Sequence, residues 1–337
     1  VKRFQGQRLS GDVRVAVIAN DALGNYVVAT PLLQAVRRKF NPKRLDFYSG
    51  HRTEELWSVD PNIDAGFRIF GGSPRKTTIT ALERGAYDLV INLESSHWAR
   101  SFAAVLSDEN TYVVGACLSP NGRDELPFGS DLIGRLAEDP DWTSAEMLTR
   151  YPMLCSSFIG EIFCRLVYIE GPVPAYSVPT APPSIDIPPL LIGASASLVE
   201  KLWPTERWIE TLSELSKMGL RAGLLGARPS AQRQYWRGDE TEQLLVDRGL
   251  VDDLRGRLTL PEVVGSLDAA RAVLTLDNGI MHLGAATQTP VVGLFRHGFH
   301  RLWAPPSRNV TVIAPPEGSS VADISVEEVL KEARNAF

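Results

Sequence analysis

With 337 residues, 44% of them hydrophobic and 22% charged, the chain has the composition of a globular protein and the length of two ordinary domains. Its formal net charge of −5 argues against general nucleic-acid binding, and no run of about 18 apolar residues is present to span a bilayer. The first residues, VKRFQGQRLSGD, hold no apolar signal segment, and Cys117, Cys155 and Cys164 lack metal-ligand spacing and suit reduced thiols, so a cytoplasmic location is expected.

Residues 13–19 (VRVAVIA) form a continuous apolar run, the mark of a strand buried on both faces. Residues 20–25 (NDALGN) read as a polar turn. Residues 26–40 read as a helix, with Val27, Val28, Leu32, Leu33 and Val36 at helical spacing and Arg37, Arg38 and Lys39 at its C-terminus. Pro31 either kinks this helix or marks its first turn. Strands are expected at 45–49, 65–69, 87–93 and 112–116, with helices at 53–57, 77–85 and 101–106 between them. This alternation predicts an α/β unit with a parallel sheet and helices on both faces. It breaks over residues 117–150, which read as a long excursion with one short helix. A helix follows at 156–169, with Phe158, Ile162, Phe163 and Leu166 on its buried face.

Residues 171–189 hold seven prolines and mark the domain boundary. The expected division is 1–175, a linker at 176–189, and 190–337, with the terminal helix a candidate to pack back on the first domain. After the linker a strand is expected at 190–192, an amphipathic helix at 207–218, a strand at 221–225, a polar helix at 230–245 and a short helix at 260–267. Residues 272–295 (AVLTLDNGIMHLGAATQTPVVGLF) then read as strand, sharp turn, helix, loop and strand. The triplet Asp277-Asn278-Gly279 forms turns and caps helices. Residues 280–287 open with backbone N–H groups that attract anions, at the carboxyl edge of a parallel sheet where ligands bind. This turn therefore reads as a diphosphate cradle. A last strand is expected at 310–313, and an amphipathic helix leads to Phe337.

The stretch DNGIMHLGAATQTPVVGLF is similar to the donor-binding signature of the heptosyltransferase-like glycosyltransferases of family 9, an Asp-Thr/Ser-Gly-x-x-His pattern before a small-residue helix. VRVAVIANDALGNYVVATPLLQAVRRKF resembles that family's first strand, its Leu-Gly-Asp loop and its Thr-Pro-x-Leu helix. GASASLVEKLWPTERWIETLSEL resembles its Lys-x-Trp-Pro-x-x-x-Trp segment, and GLFRHGFHRLWAP the loop after the last signature strand. The likeness is collinear over most of the chain and weakest over 117–150. It implies a GT-B fold, two Rossmann-like α/β domains with a cleft between them. It also implies transfer of a heptose or related sugar from a nucleoside diphosphate donor, ADP-linked, to an acceptor hydroxyl or amine, in lipopolysaccharide-core or natural-product glycoside biosynthesis. No metal or other cofactor is implied. The implied partners are the sugar nucleotide and a glycosyl acceptor, not nucleic acid; a lipid acceptor would bring the protein to a membrane surface.

On this resemblance, amides around Gly279 and Ile280 hold the diphosphate, with Asn278 in place of the family's hydroxyl residue. His282 donates to a phosphate oxygen or steadies the leaving nucleotide. Lys201 neutralises the diphosphate or touches the donor sugar, and Ser195 lines the same site. Gly226, Arg228 and Leu258 belong to the nucleoside side, with Asp277, itself anionic, capping the loop there. Trp203 and Trp208 read as core. His297 and His300, flanked by Arg296 and Arg301, form a basic loop over the phosphates rather than a metal site. Gly24, Asn25 and His97 fall on the acceptor side. Asn25 stands where the family carries an aspartate base, and an amide cannot take that proton. Three readings follow. Another carboxylate, Glu94 at the end of a sheet strand or Asp21 before the turn, serves as base; or proton removal is late and needs little help; or the protein binds a nucleotide sugar without transferring it.

Overall fold

The computed structural model describes residues 1–228, 230 and 235–337. The chain divides into two compact units, Val1–Ser177 and Val178–Phe337. Each is built on a six-stranded sheet in which every pair of neighbours is parallel.

In the first unit the strands are β1 (Lys2–Arg3), β2 (Arg14–Ile18), β3 (Arg44–Gly50), β4 (Ala65–Phe70), β5 (Leu89–Asn92) and β6 (Tyr112–Val114), in the order β1-β6-β5-β2-β3-β4. The apolar runs place β2 and β5 in the middle, where Val15, Val17, Ile18, Leu89, Val90 and Ile91 are fully buried. The edge strand β1 was not expected. Two polar residues show no period, and only their pairing with β6 makes them a strand.

The first helix, Leu23–Phe40, starts three residues earlier than its apolar spacing suggests, so Gly24 and Asn25 lie in its first turn. Its cap position, Ala22, offers no side-chain acceptor; instead the Asn20 Oδ1 accepts the Ala22 N–H at 2.8 Å. Pro31 sits inside the helix and has no N–H for the Val27 carbonyl four residues back, and the Thr30 hydroxyl donates to that carbonyl at 2.8 Å. Residues 117–150 contain two short helices rather than one, Leu132–Glu138 and Met147–Arg150. Asp139 joins them, accepting from Arg150 at 2.6 Å and from the Tyr151 hydroxyl at 2.8 Å. The helix expected at 156–169 is shorter, Ile159–Leu166. Its buried Glu161 accepts the amides of Cys155 and Ser156, both at 2.9 Å, and pairs with Arg165 at 2.7 Å. The residues before it are thus held as a cap rather than as helix.

In the second unit the strands are β7 (Leu190–Gly193), β8 (Ala222–Leu224), β9 (Asp252–Asp253), β10 (Ala272–Leu276), β11 (Val291–Leu294) and β12 (Val310–Ile313), ordered β12-β11-β10-β7-β8-β9. Trp203 and Trp208 meet edge to face at 5.2 Å in its core, and the Trp203 indole donates to the Ile324 carbonyl at 3.0 Å. The terminal helix, Val326–Asn335, buries Val326, Val329, Leu330 and Ala333 in this same core. Its apolar face is therefore used within the second unit. The polar helix expected over 230–245 is described as Asp239–Asp247; residues 231–234 of that stretch lie outside the described residues. Among the described residues no helix is long and apolar enough to cross a membrane.

Candidate active site

A polar cluster of the second unit lies at the carboxyl ends of the adjacent central strands β7 and β10, where Gly193 is in register with Thr275. The chain leaves β10 through Asp277 and Asn278 and enters the helix Gly279–Ala285. Asn278, not Asp277, is the cap. Its Oδ1 accepts the amides of Ile280 at 2.9 Å and Met281 at 3.2 Å. Its Nδ2 donates to the Ser195 carbonyl at 2.8 Å and lies 3.3 Å from that of Gly193. The Asn278 amide thus faces two backbone carbonyls, and its Oδ1 caps the Ile280 N–H. Gly193 carries a steric requirement that its sequence does not announce. A Cβ there would stand 2.6 Å from the Thr275 Oγ1 and 3.1 Å from the Asn278 Nδ2.

Asp277 has a different partner. Its side chain is 3% exposed, and its Oδ2 lies 2.7 Å from the Nζ of Lys201, itself 14% exposed. The same ammonium donates to the Asp277 main-chain carbonyl at 3.2 Å. Lys201 ends the 3-10 turn Val199–Lys201, next to the buried Trp203. The sequence distance between lysine and aspartate, 76 residues, hides this pair from any local reading. Ser195, nearly buried, shares the cluster through its carbonyl.

His282, one turn into the helix, is 2% exposed, and its ring meets Trp303 edge to face at 6.2 Å. Burial lowers its pKa to about 4; Asp277 pulls the other way and Lys201 adds to the lowering. The side chain is therefore a neutral imidazole at pH 7. An unfolded histidine titrates near 6.5, so between that pH and about 4 the unfolded chain binds the extra proton. The stabilisation is complete above the unfolded pKa and is lost as pH falls toward the folded one. From pH 7 to pH 5 the wild-type chain should lose about 2 kcal/mol that a His282→Gln variant does not. Urea unfolding of both at the two pH values measures the difference.

Toward β8 and β9, Gly226 accepts the Gly256 N–H at 2.9 Å, and the exposed Arg228 lies over Gly256, its Nε 3.3 Å from that carbonyl. Gly256 has φ +62° and a Cβ position only 2.0 Å from the Arg228 Cγ, so a side chain there would be strained and would displace Arg228. Leu258 is half-buried in the same loop. Arg255, which drew no notice in the sequence, braces the loop from below. It is 6% exposed and forks onto Asp253 with two contacts of 2.8 Å, while Glu242 lies 3.7 Å away. The loop after β11 folds into an unexpected helix, Phe299–Trp303, which carries the Trp303 that touches His282. His297 Nδ1 contacts the Pro315 carbonyl at 3.1 Å, and Arg296 stacks on Phe299 at 3.6 Å. Among the described residues no group of three His, Cys, Asp or Glu side chains is placed to hold a metal ion.

In the first unit the carboxyl ends of β2 and β5 bring Asn20 and Glu94 together, and Asp21 follows Asn20 in the chain. The Asn20 Nδ2 donates to the Glu94 Oε2 at 2.7 Å. The Glu94 Oε1 accepts the amides of Ser95 at 2.9 Å and Ser96 at 3.1 Å. The Glu94 Oε1 thus holds the loop before the helix His97–Val105, and the Oε2 ties it to Asn20. Asp21 meets Arg52 at 3.6 Å, beyond hydrogen-bond length, with 15% of its side chain exposed. Gly50 makes room for it, since a Cβ there would fall 2.2 Å from that of Asp21. Gly24 and Asn25 are half-buried in the first turn of Leu23–Phe40, and His97 is exposed at the start of its helix.

Residues 172–332 match the model of glycosyltransferase family 9 (heptosyltransferase). Lipopolysaccharide heptosyltransferase 3 of Escherichia coli (strain K12) is 26% identical over 329 residues, covering 85% of this chain and 83% of that relative. Among solved structures, the family 9 glycosyl transferase of Veillonella parvula DSM 2008 superposes with a TM-score of 0.75 at 16% identity, over 98% of this chain and 99% of that one. The E. coli ADP-heptose lipopolysaccharide heptosyltransferase II gives 0.64 at 19% identity, over 96% and 98%. The two parallel six-stranded sheets agree with these neighbours and bear out the GT-B class. Residues 172–332 are thus similar to glycosyltransferase family 9 (heptosyltransferase), and the chain resembles a lipopolysaccharide heptosyltransferase in sequence, and solved members of that family in fold, over most of its length.

Proposed function

We propose that the protein transfers a heptose or related sugar from an ADP-linked donor to an acceptor hydroxyl in lipopolysaccharide-core assembly, the second unit holding the donor and the first the acceptor. The observation that carries this is the cluster of Lys201, Asp277 and His282 at the carboxyl end of β10, within the stretch that matches the family. When the glycosidic bond breaks, the leaving diphosphate gains negative charge, and fixed positive charge and N–H donors there lower the barrier. Lys201 supplies the charge, and the neutral His282 supplies a single N–H donor. No cofactor beyond the sugar nucleotide enters the proposal, and Gly226, Arg228 and Leu258 take the nucleoside side.

Asp21 is the proton acceptor in this reading. Glu94 is occupied at both oxygens, by the Asn20 amide and by the Ser95 and Ser96 N–H groups, whereas among the described residues Asp21 has only a long ionic contact to Arg52. The acceptor O–H proton passes to the Asp21 carboxylate as the acceptor oxygen bonds to the anomeric carbon. The anomeric C–O bond breaks, and its electron pair leaves with the nucleoside diphosphate. A membrane-borne acceptor and a cytoplasmic location belong to the same proposal.

Release of ADP from ADP-heptose, driven by a deacylated lipopolysaccharide-core oligosaccharide and checked by mass spectrometry of the product, tests the reading. Binding of ADP-heptose by calorimetry with no transfer would favour the nucleotide-sugar binder that Asn25 suggests.

A further inference from the structure

We infer that Asn278 is a positioning residue for Lys201: together with Asp277 it clamps the segment from Gly193 to Lys201 at both ends and so sets where the lysine ammonium stands. The inference rests on the donor-site reading given above. A helix cap needs one acceptor, and serine, threonine or aspartate supplies it as well as asparagine. None of those side chains donates two N–H bonds at once. Asn278 has both tasks. Its Oδ1 takes the Ile280 and Met281 amides, while its Nδ2 faces the Ser195 carbonyl at 2.8 Å and the Gly193 carbonyl at 3.3 Å. The network also fixes which way the amide points, since backbone donors lie on one side and backbone carbonyls on the other. The Thr275 hydroxyl, 3.0 Å from the Oδ1, adds to the first side.

The far end of the segment is held by the next residue back. Lys201 Nζ contacts the Asp277 Oδ2 at 2.7 Å and the Asp277 carbonyl at 3.2 Å. Between the ends, Ala196 exchanges backbone hydrogen bonds with Arg237 at 3.1 and 2.7 Å. Two consecutive residues leaving β10 thus fix the start and the finish of the segment leaving β7. Gly193 belongs to the device, because a side chain there would push on both Thr275 and the Asn278 amide. Removing the two N–H donors while keeping the cap should free the start of the segment and shift Lys201 relative to an incoming diphosphate.

Asn278→Ser keeps a cap oxygen and loses the double donation. Its Kd for ADP, measured by calorimetry well below its Tm, should rise on the order of tenfold. Gly193→Ala should produce the same change from the other side of the contact. The Lys201 charge is then deleted together with its counter-ion (Lys201→Met with Asp277→Asn) in the wild-type and Asn278→Ser backgrounds. If Asn278 acts through Lys201, the deletion weakens ADP binding strongly in the wild-type background and little in the variant. A residue that only stabilises the fold lowers Tm and leaves the two effects additive. Additive effects, or wild-type ADP affinity in both Asn278→Ser and Gly193→Ala, overturn the assignment. A wild-type chain that does not bind ADP overturns the donor-site reading, and the inference with it.

Discussion

Asp21→Asn is expected to lower the turnover of sugar transfer by roughly 10²- to 10⁴-fold, the range for loss of a general base, while the affinity for ADP-heptose stays at the wild-type value. The asparagine fills the same space beside Gly50 and keeps the position half-buried. What it loses is the ability to take a proton. Glu94→Gln should behave differently. It places an N–H donor against either the Asn20 amide or the Ser95 and Ser96 amides, so its cost falls on stability. Adding Asn25→Asp to Asp21→Asn should recover part of the turnover, because it returns a carboxylate to the position where the family carries one. Steady-state ADP release, calorimetry and thermal unfolding of the three variants separate these outcomes. An Asp21→Asn enzyme within a few-fold of wild type in turnover would remove Asp21 from the chemistry.

Lys201→Ala should strongly destabilise the second unit. It leaves the carboxylate of Asp277, 3% exposed, without its cation, and breaking one side of a buried pair costs about 3–5 kcal/mol. Removing both charges, Lys201→Met with Asp277→Asn, should restore most of that stability. It should not restore ADP binding, which loses about ten- to a hundredfold with the charged contact to phosphate. Urea unfolding and calorimetry on the single and double variants distinguish a lysine kept for the fold from one kept for the ligand. Recovery of ADP binding in the double variant would show that Lys201 serves only as counter-ion to Asp277.

The alternation of apolar runs and amphipathic helices made both α/β units legible, because strands such as β2, β5 and β10 are buried on both faces and read as unbroken apolar stretches. Elements lacking that signal were missed: β1 and β9 have two residues each, and Phe299–Trp303 is five residues inside a basic loop. The start of the first helix was misplaced because Ala22 is no cap residue, and the side chain that takes its amide, Asn20, lies two residues earlier. At the donor side the residue types were readable and their partners were not. The triplet 277–279 could be recognised as a helix entry. Which of Asp277 and Asn278 caps it depends on Lys201, Gly193 and Ser195, all more than seventy residues away in sequence. On the acceptor side, the place of Glu94 at a strand end was evident, whereas its saturation by Asn20, Ser95 and Ser96 required the fold.

The neighbouring places of β7 and β10 in an all-parallel sheet have a consequence for how the protein is made. The two strands are joined through Thr275 and Gly193, 82 residues apart, with β8 and β9 formed from the chain between them. No hairpin or local turn can assemble the Lys201–Asp277 pair in advance, and long-range parallel pairing is intrinsically slow. On the ribosome, residues 190–201 must therefore wait for nearly eighty more residues to be synthesised before their partners exist. Binding competence should appear in one late step, with no partial affinity in shorter nascent chains.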